Sequence, residues 1–147
     1  MYSKYGDSTC NNFFVNAVKK STEHMDKINM VNMYGIYLRR QSDTLILNQG
    51  ISTLENEAKN DPTWWVKLYS YYALANLKEG MQANEKLLGE KLALLKKNKK
   101  SPADEITKVS IELQNAIEQR TSLDQVLASI RKAETDEKVK AYYINEE

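Results

Sequence analysis

Cysteine and histidine each occur once in the 147 residues, as Cys10 and His24. A single cysteine excludes a disulfide scaffold within the chain. One cysteine and one histidine cannot supply the ligands of a structural zinc site, so no metal is expected. Glycine (5) and proline (2) are almost as scarce, which argues against a many-stranded sandwich or barrel. The glycines are scattered, so no phosphate-cradling loop forms and no bound cofactor is expected. Charge of one sign is not in excess either, with 21 basic and 20 acidic residues. A nucleic-acid partner is therefore not expected. The one basic cluster, Lys96, Lys97, Lys99 and Lys100, has no arginine or aromatic residue among its lysines. It reads as a solvated helix end facing the helix dipole. No apolar run approaches the ~20 residues that cross a bilayer, so no membrane partner is expected. The opening MYSKYGDSTCNN has no apolar stretch of the kind a signal peptide needs.

What the sequence does contain is helical periodicity. Apolar residues recur at three and four rather than at two. A first helix is expected over residues 10–23, with Ser8 or Thr9 as its cap. A second follows Asp26 and ends near Arg40, its stripe formed by Ile28, Val31, Tyr34, Gly35 and Leu38. A third covers residues 44–59, opened by Ser42 or Asp43. Asn60-Asp61-Pro62 then ends one helix and starts the next, since proline suits a first helical turn. A fourth helix is expected from 62 to 78 with Gly80 as its stop signal. It is apolar around much of its circumference, which marks it as central.

Residues 81–134 differ, because two apolar stripes are joined by a short basic turn around Ser101-Pro102. The stripes are Met81, Leu88, Leu92 and Leu95, then Ile106, Val109, Leu113 and Ala116 through to Ile130. They predict an antiparallel helical hairpin. Ser122 with Gln125 forms a capping-box pattern, which admits a break near Thr121-Ser122. A short helix over 136–143 and a frayed end complete the chain. With no Gly-, Pro- or Ser-rich linker, residues 1–147 read as one all-α domain.

A bundle and a stacked repeat array both fit this helix order. The tetratricopeptide pattern matches at Trp65, Leu68 and Tyr72 but fails at Tyr69 and Met81. A HEAT-like repeat over residues 44–78 fits better. Asp61 and Pro62 stand at its turn, Val66-Lys67 in the place of Val-Arg, Ser70 at the small position, and Ala73-Leu74 near the end. The small residue lets neighbouring helices approach, while valine and leucine fill the layer between repeats. Asp26, Val31 and Gly35 repeat the spacing of Asp61, Val66 and Ser70 about 35 residues earlier. The expected architecture is a set of antiparallel hairpins stacked as a short right-handed HEAT-like array, with an irregular helical bundle as the alternative.

Residues 45–77, with the closing AETDEKVKAYY at 133–143, resemble the C-terminal helical region of bacterial M1-family zinc aminopeptidases. The resemblance covers these 44 of the 147 residues. It implies a HEAT-like domain that packs on a catalytic domain and restricts access to its chamber. It also implies that the chain is a fragment of a longer protein, with Met1 an added start. The family's His-Glu-x-x-His helix and Gly-x-Met-Glu-Asn segment are missing from this sequence. The chain by itself is therefore not expected to be an enzyme, although its parent would be a zinc metallopeptidase.

Several single residues have a plainer reading beside the functional one. Cys10 has no basic partner nearby and reads as an inert thiol. His24 reads as a solvated helix-end residue. The carboxylate pairs Glu55/Glu57, Asp104/Glu105 and Glu146/Glu147 do not face each other on a helix, and read as solvated. Trp65 shares a face with Leu68, Tyr69 and Tyr72 and is assigned to the core. Trp64, with Tyr71 seven residues on, is a candidate exposed aromatic pair that would mark a partner surface, but helix four is apolar nearly all round and ordinary packing is the favoured reading. The expected function is a non-catalytic helical domain that works by protein contact. Its rivals are a free-standing helical adaptor and a small helical enzyme using Tyr or Glu without metal.

Overall fold

Residues 8–143 are described by the computed structural model, and the chain there is all-α. Six helices follow in order: α1 Ser8–Lys20, α2 His24–Arg39, α3 Thr44–Asn60, α4 Trp64–Lys97, α5 Ala103–Ala133 and α6 Glu137–Tyr143. The expected fraying at 144–147 and the Glu146/Glu147 pair lie outside the described residues. No helix among the described residues is long and apolar enough to cross a membrane.

Local chemistry sets most of the boundaries. Asp43 caps α3, its Oδ1 accepting from the amide of Leu45 at 2.9 Å. Glu23 caps α2, accepting from the Asp26 amide at 2.8 Å. Asp61 caps the α3–α4 turn by accepting from the Thr63 amide at 2.8 Å. Helix α4 then starts at Trp64, two residues later than Pro62.

The expected stop at Gly80 and the possible break at Thr121-Ser122 are both absent. Gly80 does not stop a helix, since α4 runs on for 34 residues. The glycine serves close approach instead. A Cβ placed there would lie 2.9 Å from Arg39 Nε and 3.1 Å from its Cγ, so Arg39 rests across bare backbone. Helix α5 shows no break at Thr121-Ser122. Arg120 binds Asp124 one turn on, and the apolar stripe continues unbroken through Leu123, Leu127 and Ile130.

Helix α4 is the hub. It packs against α2, α3, α5 and α6, and α3 lies against both α4 and α5. The main core joins Val31, Tyr34 and Leu38 of α2, Leu54 and Ala58 of α3, Leu74 and Leu77 of α4, and Leu123 and Ile130 of α5. Val66, Ser70 and Leu74 are all fully buried. Helices α2 and α4 meet at small residues, where a Cβ on Gly35 would sit 3.1 Å from the Ala73 Cβ. Ser70 lies about one turn before Ala73 and is fully buried in the same layer. Ser70→Leu should therefore cost about 1–3 kcal/mol in urea unfolding through overpacking. Unchanged stability would place Ser70 outside the layer.

Buried polar groups tie the helices together. The Tyr34 hydroxyl donates to Asn11 Oδ1, and Asn11 Nδ2 donates to Gln49 Oε1, linking α2, α1 and α3. Lys27 of α2 reaches Glu57 at 2.8 Å and Asp61 at 2.6 Å. The solvated reading of Glu57 is thus corrected: it is buried because the start of α2 crosses the end of α3 above it. Burial pushes the Glu57 carboxyl up, and Lys27 offsets this only in part. For Asp61 burial acts in the same sense, but Lys27 and the Thr63 amide outweigh it and hold that carboxyl below its usual range.

Candidate functional site

Beyond Leu77 and Ser122, the paired helices α4 and α5 project from the body as an arm. About 17 residues of α4, 81–97, form one leg of roughly 25 Å. The register is fixed near the root by ion pairs, Lys78 to Asp124 at 2.7 Å and Glu85 to Arg120 at 2.9 Å. Arg120 also donates to Asp124 at 2.8 Å, so one guanidinium joins two carboxylates. The expected hairpin over 81–134 is present, with α5 as one leg and the distal part of α4 as the other.

The seam between α4 and α5 changes character along its length. Within the body Leu74, Leu77, Leu123, Leu127 and Ile130 are buried. In the arm Met81, Leu88, Leu92 and Leu95 of α4, and Ile106, Leu113 and Ala116 of α5, are only half-buried. Val109 is the buried exception. The difference has a simple cause. Helix α3 lies across α4 and α5 in the body, and its N-terminus stops at the root of the arm. A hydrogen bond of 3.2 Å from Gln119 to Asn48 marks where it begins. Two helices alone cannot enclose the seam between them.

A groove of about 940 Å³ opens where α3 ends. Its floor includes Leu77, Met81, Leu88 and Ala116, and its root is walled by the α2–α3 corner with Arg39, Arg40 and Gln41. Gln41 donates to the Tyr37 carbonyl at 3.2 Å, while its Oε1 is shielded from solvent without a partner. Asn84 and Gln119 supply further amides along the edges. Leu87, Leu94 and Ile111 of the arm are 64%, 69% and 56% exposed. Leu87 and Leu94 follow Gly80 at intervals of seven, so they extend the groove's α4 edge towards the tip.

The arm's ion pairs make it sensitive to acid. Hydrogen bonding to Arg120 holds the Glu85 carboxyl below its usual range. Burial would raise Asp124, but Lys78 and Arg120 outweigh it and hold that carboxyl low as well. Both folded values lie below the unfolded ones. The stabilisation is therefore in place above about pH 4 and is lost as pH falls through the folded values. Amide exchange across 81–120, corrected for its intrinsic rate, should accelerate near pH 3. A pH-independent protection would show that the pairs do not anchor the arm.

The candidate surface pair Trp64 and Tyr71 is packed, as the favoured reading has it, and the exposed alternative is corrected. Tyr71 is fully buried, with its ring 4.4 Å from that of Tyr143 and its hydroxyl accepting from Arg131 at 2.7 Å. Trp64 is half-buried, stacked on Tyr142 at 6.2 Å with Lys138 near its ring. Both are covered because α6 docks on that side of α4. Trp65, assigned to the core, is instead 42% exposed, beside Tyr69 at 41%. Asp61 is buried and Pro62 exposed at the α3–α4 turn, and Val66, Ser70 and Leu74 are buried along α4. Cys10 is half-buried, and the His24 ring meets the Thr63 hydroxyl at 3.2 Å at the exposed start of α2.

Sequence reasoning missed the groove, whose lining comes from four helices and a corner. It also missed the clamp at α6, where Glu134 is buried, takes Lys67 at 3.0 Å and accepts from the amides of Thr135 and Asp136. Among the described residues no group of three or more His, Cys, Asp or Glu is placed to hold a metal ion. In comparisons with known proteins, no family model, no curated protein and no solved structure matches this chain.

Proposed function

We propose that this chain is a non-catalytic helical domain that works by protein contact, and that its contact surface is the arm with the groove at its root. One observation carries this reading. The α4–α5 seam is sealed in the body and left half-open in the arm, with Leu87 and Leu94 exposed along the same edge. Large apolar side chains grouped beside an open groove are the usual mark of a partner site.

A photo-reactive benzoylphenylalanine at position 87 tests it in the source cell, with position 25, also exposed, as the control. The reading expects an adduct with one polypeptide at 87 and none at 25, and the same adduct with that polypeptide purified. No adduct at 87 would overturn it.

The relation to M1 peptidases is the finer form of the same proposal. Its support is the HEAT-like stretch around Asp61, Pro62, Val66, Ser70 and Leu74, together with the tail at 133–143. On that reading the helices form a short HEAT-like array whose surface packs on a catalytic domain. A reading frame running upstream into a His-Glu-x-x-His helix supports it. A natural stand-alone start at Met1 overturns it and leaves the free-standing adaptor.

A further inference from the structure

We infer that the open seam of the arm receives one amphipathic helix from a partner protein, laid in line with α3 and antiparallel to α4. The inference rests on the contact reading above and names the partner's chemistry.

The position of α3 is the first argument. In the body a third helix covers the α4–α5 seam, and the buried leucines there show what such coverage does. The groove begins where that helix ends and follows the same seam to Leu88. A helix about 10 Å across and 5.4 Å per turn fills about 420 Å³ per turn. The groove of about 940 Å³ is of the size of a short helical segment. The half-exposed residues beyond it, together with Leu87 and Leu94, offer more of the same track. Anchors at i, i+3 or i+4 and i+7 suit such a track.

Charge is the second argument, and it defines the partner. Residues 81–97 of α4 carry four lysines and two glutamates, and one of those glutamates, Glu85, is taken by Arg120. Residues 103–119 of α5 carry four carboxylates and one lysine. Beyond Glu85–Arg120, among the described residues, no ion pair joins the two legs towards the tip. On the groove side Lys91 shares the α4 face of Asn84 and Leu88, and Glu112 lines the α5 edge, so a cation and a carboxylate flank the track on opposite sides. A matching helix carries an apolar stripe, acidic residues on the flank facing α4 and basic residues on the flank facing α5. A helix rotated end for end would place its flanks on the wrong rails, so the pattern also sets direction. Running as α3 does, the partner's C-terminal end meets Arg39 and Arg40, where cations favour a helix C-terminus.

Two labelled synthetic helices of about 18 residues, or five turns, provide the probes. One has the flanks described, and its twin has them exchanged. Fluorescence anisotropy should show the first binding about tenfold more tightly. Lys91→Glu combined with Glu112→Lys should reverse that preference. Ala116→Arg, which fills the groove floor, should abolish binding of both, with circular dichroism confirming that the variant is folded. The inference is overturned if neither peptide binds below about 1 mM, or if the double reversal leaves the preference unchanged. An adduct at position 87 alongside either of those results would remove helix docking and leave the contact reading standing. Absence of any adduct would remove the contact reading itself.

Discussion

Lys27→Met will lower the unfolding free energy by about 3–5 kcal/mol, a large share of what a domain of this size holds. Methionine keeps most of the chain length, so the loss is electrostatic. The lysine stands between Glu57 and Asp61, and the three side chains are only 15%, 8% and 4% exposed. Without it two carboxylates remain buried side by side with no cation. Burial alone would lower the Lys27 pKa, but the two carboxylates outweigh it and raise it, which measures how strongly they hold the proton there. The deficit should depend on pH in a defined sense. The variant's unpaired carboxyls favour the protonated form, so acid relieves it. Asp61 in the native protein has a depressed value, so its stabilisation falls away as pH drops through that value. The first effect narrows the gap by about pH 4, and the second narrows it further below that. Urea unfolding at about pH 7 and about pH 4 should show a large difference at the first and a smaller one at the second. Lys27→Met with Glu57→Leu should recover part of the loss, since one buried charge is removed with its partner. A loss below about 1 kcal/mol at neutral pH would show that the pair is solvated, as exposed pairs contribute no more than that.

Tyr71→Ala is the second large effect, at about 3–5 kcal/mol. The ring is fully buried between α4, α5 and α6, and its removal leaves a cavity beneath Tyr143. Arg131 also loses the hydroxyl that accepts its hydrogen bond. Helix α6 has seven residues and cannot stand alone, so it should lose its dock first. Amide exchange in 137–143 should rise well before the rest of the chain responds. Trp65→Ala is the matched control. On the exposed face it should cost less than about 1 kcal/mol. Equal losses for the two would restore the expectation that Trp65, and not Tyr71, belongs to the core.

The helices were legible in the sequence because their signals are local. Asp43 caps α3 with its own carboxylate, and the stripe of Leu123, Leu127 and Ile130 needs nothing but a period near 3.6. The hairpin was legible for the same reason. What was not legible depends on neighbours that are distant in sequence. Gly80 carries the mark of a helix stop, and only Arg39, 41 positions earlier, explains why the helix continues past it. Trp64 and Tyr71 face one side of α4 and Trp65 another. Which side is covered was decided by where α6 docks, a choice made by Tyr142 and Tyr143 near the far end of the chain. Glu57 has the composition of a surface residue and becomes a core residue because Lys27 arrives above it. The groove was the least legible feature, because it is defined by the point at which α3 stops and not by any motif.

Helix α4 passes from the body into the arm as one continuous α-helix without a proline. Its 34 residues span about 50 Å. It is therefore a spar, and the arm has no hinge on that side. A partner that shifts the tip cannot swing the arm alone; it must turn the central helix against α2, Arg39 and the Asp61 turn. Load applied near Leu94 is delivered to the layer around Ser70 and Ala73, and a loosened layer there is felt at the tip.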